Sequence, residues 1–98
     1  MPTQPQSLSI MMMPLENRRE AILELALNAD KLGFDAILLP ETWAFNTTVL
    51  LSEIAVRTKT LRIGTGILSV WGRSAGTIAM AASTLSAVSG GRFILGLG

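Results

Sequence analysis

Residues 61–73 of this chain read Leu-Arg-Ile-Gly-Thr-Gly-Ile-Leu-Ser-Val-Trp-Gly-Arg. The stretch starts like a buried strand, because Ile63 and Ile67 supply the β-branched bulk that packs well in sheets. Gly64 and Gly66 interrupt it. Glycine inside a strand contributes no side chain to the packing, so it usually marks a bulge or a close approach to the backbone.

The same stretch becomes polar where the strand ends, since Thr65 and Ser69 bring hydroxyl groups there. An apolar strand that turns glycine-rich and hydroxylated at its exit is typical of the floor of a ligand site. A plain core strand with two packing glycines fits these residues equally well, and both interpretations stay open at this point.

Composition limits the classes of function. The chain has 98 residues, 49% of them hydrophobic and 15% charged, which predicts one small ordered domain with a well-covered core. The net charge of +1 gives no basic surface for nucleic acid or an anionic membrane. Cys and His are both absent, which excludes disulfides, thiol chemistry, the usual zinc sites and His-based triads within this chain. We expect no metal site, and the lack of Cys fits a cytoplasmic protein.

Two segments raise the question of targeting. Residues 1–7 form a polar leader, predicted to be flexible, without the basic region of a signal peptide. Residues 74–91 carry no charge, but hydroxyl side chains and glycines interrupt them and their large apolar residues recur at helical spacing. We therefore expect no membrane span there.

Strands and helices alternate along residues 8–98, which we interpret as one partial domain. Apolar runs predict strands at 8–13, 34–39, 61–68 and 92–97. Helical periodicity predicts helices at 16–32, from Asn46 or Thr47 to Arg57, and from Ser74 or Thr77 to Gly90. The predicted inner faces of the three helices are Ile22, Leu25, Ala26, Ala29 and Leu32; then Leu50, Leu51, Ile54 and Ala55; then Ile78, Ala81, Ala82, Leu85 and Val88.

This β-α-β-α-β-α-β order predicts an α/β fold with a parallel sheet and right-handed crossovers. The strands recur about every 30 residues, close to the ~250 residues of a (β/α)8 TIM barrel divided among eight units. A doubly wound sheet follows the same local order, and spacing alone leaves both open.

Three segments, taken together, resemble the superfamily of bacterial-luciferase-like monooxygenases and F420-dependent oxidoreductases. They are residues 33–41 (Gly-Phe-Asp-Ala-Ile-Leu-Leu-Pro-Glu), residues 55–67, and residues 79–85 followed by 89–98. The loop at residues 71–74 (Trp-Gly-Arg-Ser) is similar to the branch that uses the deazaflavin coenzyme F420. The resemblance implies the N-terminal portion of a TIM barrel, with parallel strands in the order 1-2-3-4.

It also implies an oxidoreductase that binds F420 or FMN at the carboxyl ends of the strands and acts on a small-molecule substrate, by hydride transfer or by activating oxygen. Members commonly carry a cis peptide bond in the third strand, here between Gly66 and Ile67. The residues expected to bind the coenzyme are Thr65, Gly66, Ile67 and Ser69.

The exit of the second strand supplies the remaining site residues. Glu41 is the expected catalytic residue, with an ordinary loop carboxylate as its alternative: it could bind coenzyme, polarise substrate, or exchange protons if its surroundings raise its pKa. Trp43 is expected to contact substrate, with a plain rim position as its alternative. Many members carry His directly after the acidic residue, but here Thr42 follows, and Thr does not exchange protons near pH 7. Arg73 is interpreted as a solvated loop residue rather than a ligand of an anion.

Two functions remain open at this stage. The first is an oxidoreductase of which this sequence is an N-terminal fragment. The second is a non-catalytic barrel fragment that acts through association with another chain. In either case we expect the isolated chain to be inactive and to associate with itself through open sheet edges, because unpaired strand edges are templates for pairing.

Overall fold

The structure is a computed structural model that describes residues 7–98. Residues 1–6, which make up most of the predicted leader, lie outside the described residues. The elements in chain order are β1 (Ser9–Met11), α1 (Arg19–Lys31), β2 (Ala36–Leu39), α2 (Thr47–Arg57), β3 (Arg62–Thr65), α3 (Ala75–Val88) and β4 (Phe93–Ile94).

The four strands form one sheet in the order β1-β2-β3-β4, and every neighbouring pair is parallel. This confirms the predicted order. One row of the sheet contains Ile10, Ile37, Ile63 and Phe93 in register, and it faces the helices. All three helices contribute to the core cluster on that face, and α2 lies between α1 and α3.

The next row contains Met11, Leu38, Gly64 and Ile94, and its side chains point to the opposite face. Within residues 7–98 no helix covers this second face, and Met11 is largely exposed. The apolar run at 8–13 would suit a strand buried on both faces, but β1 buries one face only, since Ile10 is partly buried and Met11 is exposed.

Three of the helix ends are set by nearby polar side chains or by glycine. Oδ1 of Asn46 accepts a hydrogen bond from the N–H of Val49 at the start of α2, and Oγ of Ser74 accepts one from the N–H of Thr77 at the start of α3. Gly33 follows α1 with a φ of 79°, a left-handed conformation that a glycine adopts without steric cost.

The helix α1 differs from the prediction in its start and its buried face. It begins at Arg19 rather than at residue 16. The segment before it is held in a non-helical turn, in which Oε1 of Glu16 accepts a hydrogen bond from the N–H of Arg18 at 2.9 Å. Leu25 and Leu32 are exposed, while Leu23 is buried. Leucines lie on several sides of this helix, so periodicity alone did not identify the side that meets the sheet.

The other helix faces are closer to the prediction. All four predicted inner residues of α2 are buried. In α3, Ile78 and Leu85 are buried but Val88 is exposed.

The strands are shorter than predicted, and the third is interrupted where its glycines lie. Regular pairing of β3 ends at Thr65, and the peptide bond between Gly66 and Ile67 is cis, as the resemblance implied. Pairing with the last segment resumes at an isolated bridge between Leu68 and Leu97. This irregular exit of β3 is the part of the fold that shapes the site.

Candidate functional site

The exits of β2 and β3 meet at the carboxyl end of the sheet. The N–H of Gly66 donates to the carbonyl of Leu39 at 2.9 Å, and the N–H of Glu41 donates to the carbonyl of Ile67 at 3.1 Å. Parallel strands bring their carboxyl ends to one edge, which explains why residues 26 positions apart in sequence become neighbours here. Glu41 therefore lies beside the Gly66–Ile67 segment.

The Glu41 carboxylate forms a bidentate ion pair with Arg73. Nε of Arg73 lies 3.2 Å from Oε1 of Glu41, and Nη2 lies 2.7 Å from Oε2. Only 13% of the Arg73 side chain and 16% of the Glu41 side chain are exposed. The interpretation of Arg73 as a solvated loop residue was wrong, because its guanidinium is turned inward by a carboxylate on the neighbouring strand exit.

This pairing sets the charge state of Glu41. Hydrogen bonds from the Arg73 guanidinium lower the pKa of the Glu41 carboxyl below its ordinary value, although partial burial acts in the opposite direction. The same hydrogen bonds raise the pKa of Arg73. Glu41 is thus ionised at neutral pH, and this arrangement does not provide the raised pKa that a proton-donating role requires.

A cavity of about 490 Å³ opens beside the ion pair, between the loops that follow β2 and β3. Its walls combine aromatic side chains with hydroxyl and amide groups. The lining residues are Glu41, Trp43, Ala44, Phe45, Asn46, Ser69, Gly72, Arg73, Ser74 and Thr77. This mixture of apolar surface and a few polar groups is common in small-molecule sites.

Trp43 stands at the edge of this cavity. Its backbone has a φ of 63°, which is uncommon for a residue with a side chain, and 89% of the residue is exposed. The following residue but one, Phe45, is partly buried and packs against the core. The loop is thus anchored beside an indole that remains free to contact a ligand.

The four residues expected to bind coenzyme lie in different surroundings. Ile67 is about half exposed, and Ser69 is half-buried on the cavity wall. Gly66 is half-buried against the Leu38 side chain. The Thr65 hydroxyl is buried instead: it donates to the carbonyl of Gly96 at 2.8 Å and accepts from the N–H of Gly96 at 2.9 Å.

Thr42, which stands where many members of the resembled family carry His, has a structural contact. Its Oγ1 accepts a hydrogen bond from the N–H of Leu15 at 2.9 Å. Leu15 belongs to the loop between β1 and α1, so Thr42 ties that loop to the exit of β2.

Sequence reasoning missed Asn46, Ser74 and Thr77 as cavity residues, since it treated them only as candidate helix caps. It also did not predict the ion pair between Arg73 and Glu41. A signal was present: an acidic residue at one strand exit and a basic residue in the loop after the next parallel strand are brought to the same edge of a sheet.

Neither a metal cluster nor a membrane span is found among residues 7–98. No group of three or more Asp and Glu side chains there is placed to hold a metal ion, and no helix in this part of the chain is both long and apolar enough to cross a bilayer.

Comparison with known proteins decides the family. The model of the luciferase-like monooxygenases matches residues 3–98. The chain belongs to this family. A relative from Mycobacterium tuberculosis, named as a coenzyme F420-dependent oxidoreductase, is 39% identical over 75 residues, which cover 76% of this chain and 22% of the relative. The chain therefore spans about a fifth of the length of that relative.

Two solved structures superpose on the chain. The coenzyme F420-dependent tetrahydromethanopterin reductase of Methanopyrus kandleri has a TM-score of 0.86 at 28% identity, covering 94% of this chain and 26% of the reductase. The oxygenating component of 3,6-diketocamphane monooxygenase from Pseudomonas putida, solved with FMN, has a TM-score of 0.80 at 20% identity, covering 94% of this chain and 29% of the monooxygenase, and shows the fold alone. The α/β fold with four parallel strands is thus part of a luciferase-like TIM barrel.

Proposed function

We propose that this chain supplies part of the coenzyme site of an oxidoreductase that uses F420, with FMN as the alternative coenzyme. The observation that carries the proposal is the hydrogen bond from the N–H of Glu41 to the carbonyl of Ile67, which brings two strand exits together beside the 490 Å³ cavity. F420 is favoured because the mycobacterial relative and the archaeal reductase are both named for it. A cytoplasmic location is part of the proposal, and cell fractionation would test it.

The residues at the exit of β3 suit a planar ring. The exposed part of Ile67 offers aliphatic surface, and Ser69 offers a hydroxyl. Gly66 has little room for a side chain, since a β-carbon there would lie 3.1 Å from Cβ of Leu38 and from Cε of Met11. When bound, the reduced coenzyme would supply the hydride or activate oxygen, and these residues would hold its ring.

Thr65 contributes indirectly. Because its hydroxyl exchanges two hydrogen bonds with the backbone of Gly96, it holds the Gly66–Ile67 segment from the buried side. We assign it to supporting the coenzyme site, with Gly66, Ile67 and Ser69 in direct contact.

Glu41 and Trp43 would act on the substrate side. An ionised carboxylate can accept hydrogen bonds from a bound molecule and orient it, which is the role we assign to Glu41. The exposed indole of Trp43 would form a wall for a small-molecule substrate.

Transplantation tests this proposal. The 75 aligned residues of this chain would replace their counterparts in the mycobacterial relative, and F420 and FMN would be titrated against the chimera. We expect the chimera to bind F420. Ile67→Asp should weaken this binding at least tenfold, because its carboxylate would contact the ring of the coenzyme. Val70→Asp is the matched control, since Val70 has similar exposure but is not among the residues assigned to the coenzyme. A folded chimera that binds neither coenzyme would overturn the proposal.

The second candidate function is a non-catalytic barrel fragment that associates with another copy. The observation that favours it is the exposure of Met11 and Met13 at the β1 edge of the sheet. Under this candidate the isolated chain is inactive and self-associates, and no coenzyme binding is expected in the transplanted form either.

A further inference from the structure

One guanidinium reaches both ends of the loop between β2 and α2. Arg73 donates two hydrogen bonds to the Glu41 carboxylate at the start of the loop. Its Nη2 also donates to Oδ1 of Asn46 at 3.0 Å, and Asn46 is the last residue before α2. Trp43 lies between these two contacts in the sequence.

Arg73 also stands at the end of the loop between β3 and α3. The next residue, Ser74, caps α3, and Ser69 in the same loop lines the cavity. A single side chain therefore connects the two loops that form the cavity walls. The connection is directional, because a planar guanidinium that bonds a carboxylate at two points fixes orientation as well as distance.

The other contacts of the β2–α2 loop do not replace this one. Thr42 accepts a hydrogen bond from the N–H of Leu15, which ties the loop to the β1 side. The N–H of Glu41 bonds to Ile67, which holds the start of the loop only. Among the described hydrogen bonds, the one from Nη2 of Arg73 is the one that joins Asn46 to the β3–α3 loop.

We propose that Arg73 is a positioning residue that fixes Trp43 and Ser69 on opposite walls of the cavity, and that it does not recognise an anion. The proposal rests on the proposed function, since it concerns the residues assigned there to substrate and coenzyme. Its second half follows from the pairing: the Glu41 carboxylate occupies Nε and Nη2 of Arg73 and balances the guanidinium charge, so a phosphate group would find only Nη1 free of these contacts and would meet little net positive charge.

The first test uses the ligand-free 98-residue chain. The chain has two tryptophans, so Trp71→Phe leaves Trp43 as the single fluorophore. In this background we expect Arg73→Ala to lose the slowly decaying part of the Trp43 fluorescence anisotropy, because the indole moves more freely. Arg73→Lys should retain part of that slow component.

Arg62→Ala is the matched control. Arg62 pairs with Asp35 at the opposite end of the sheet, so its removal breaks a β2–β3 ion pair without touching the cavity. We expect the Trp43 anisotropy of this variant to equal that of the parent. If Arg73→Ala proves unfolded by circular dichroism, Arg73→Lys and the near-isosteric Glu41→Gln replace it in the comparison.

The second test is a titration of the parent with inorganic phosphate, followed by the same Trp43 signal. We expect no saturable change. A saturable change that Arg73→Ala abolishes would make Arg73 an anion-binding residue and overturn the proposal, as would unchanged Trp43 anisotropy in the folded Arg73 variants. Both tests are made without coenzyme, so a failure of coenzyme binding would overturn the proposed function and leave this inference standing.

Discussion

Gly64 lies so close to Ile94 that a β-carbon at position 64 would stand 2.7 Å from the carbonyl oxygen of Ile94. It would also stand 2.8 Å from Cδ2 of Leu38. These contacts explain the first glycine of the third strand: it allows β4 and the Leu38 side chain to approach the backbone of β3.

Gly64→Ala should therefore destabilise the chain by about 1–3 kcal/mol, because a rigid backbone carbonyl would have to move. Urea unfolding measures the change. Gly76→Ala is the control, since no atom lies within 4 Å of a β-carbon there and alanine favours a helix. Equal stability of Gly64→Ala and the parent would show that the sheet can open at this point.

Asp30 should make folding sensitive to acid. Its carboxylate accepts hydrogen bonds from the N–H groups of Lys59, Thr60 and Leu61 at 2.8–3.0 Å. Partial burial alone would raise its pKa, but these N–H groups outweigh burial and lower the pKa from 3.8 to about 2. The stabilisation is therefore complete above the unfolded-state value of 3.8 and is lost as the pH falls toward 2.

We expect Asp30→Asn to lower the free energy of unfolding by about 1–3 kcal/mol at neutral pH, and by less as the pH falls toward 2. Urea titrations at a series of pH values measure this. Glu16 and Glu41 also have lowered pKa values, so the difference between parent and variant isolates the contribution of Asp30. Asp35→Asn serves as a control, because the Asp35 carboxylate accepts one described hydrogen bond, from Arg62, where that of Asp30 accepts four. A parallel pH dependence for parent and Asp30→Asn would contradict the assignment.

Among the Arg and Lys residues that the structure describes, Arg92 should lose the most stability when it is replaced. Its guanidinium donates to the backbone carbonyls of Ala55, Thr58, Leu61 and Ser89 at 2.6–3.2 Å. Arg92 therefore bridges the end of α2, the start of β3 and the end of α3. Arg92→Lys should cost about 2–3 kcal/mol, since an ammonium group cannot reach this set of acceptors. Arg57→Lys, on an exposed helix pair, should change stability by less than about 0.5 kcal/mol.

Thermal and urea unfolding of both variants would measure that contrast. Similar losses for Arg92→Lys and Arg57→Lys would show that charge alone matters at position 92.

Self-association of the isolated chain should depend on the β1 edge. Met11 is 62% exposed on the uncovered face of the sheet, and lysine on an edge strand opposes strand pairing. Sedimentation velocity should show larger species for the parent than for Met11→Lys. Met80→Lys is the matched control, because Met80 is 66% exposed but lies on α3. A parent that sediments as a monomer at every concentration would contradict this prediction.

The order and type of the elements could be predicted from sequence because each depends on residues that are close together in the chain. Asn46, Ser74 and Gly33 mark helix ends through bonds and dihedral angles within a few residues. The parallel pairing followed from the alternation of strands and helices, whereas the order 1-2-3-4 was implied by the resemblance to the luciferase-like family, since a doubly wound sheet has the same alternation. The buried face of α1 was harder to predict from sequence, since leucines lie on several sides of that helix. Only the position of the sheet decides which of them are buried.

The sequence by itself thus determined the alternation of strands and helices and the end of the sheet where the candidate site lies. The tertiary structure decided the partners of the polar groups. Arg73 meets Glu41 across 32 residues, Arg92 meets the Ala55 carbonyl across 37, and the Thr65 hydroxyl meets Gly96 across 31. Such contacts form only after crossovers of this length bring strand exits and loops together, so no local pattern in the sequence specifies them.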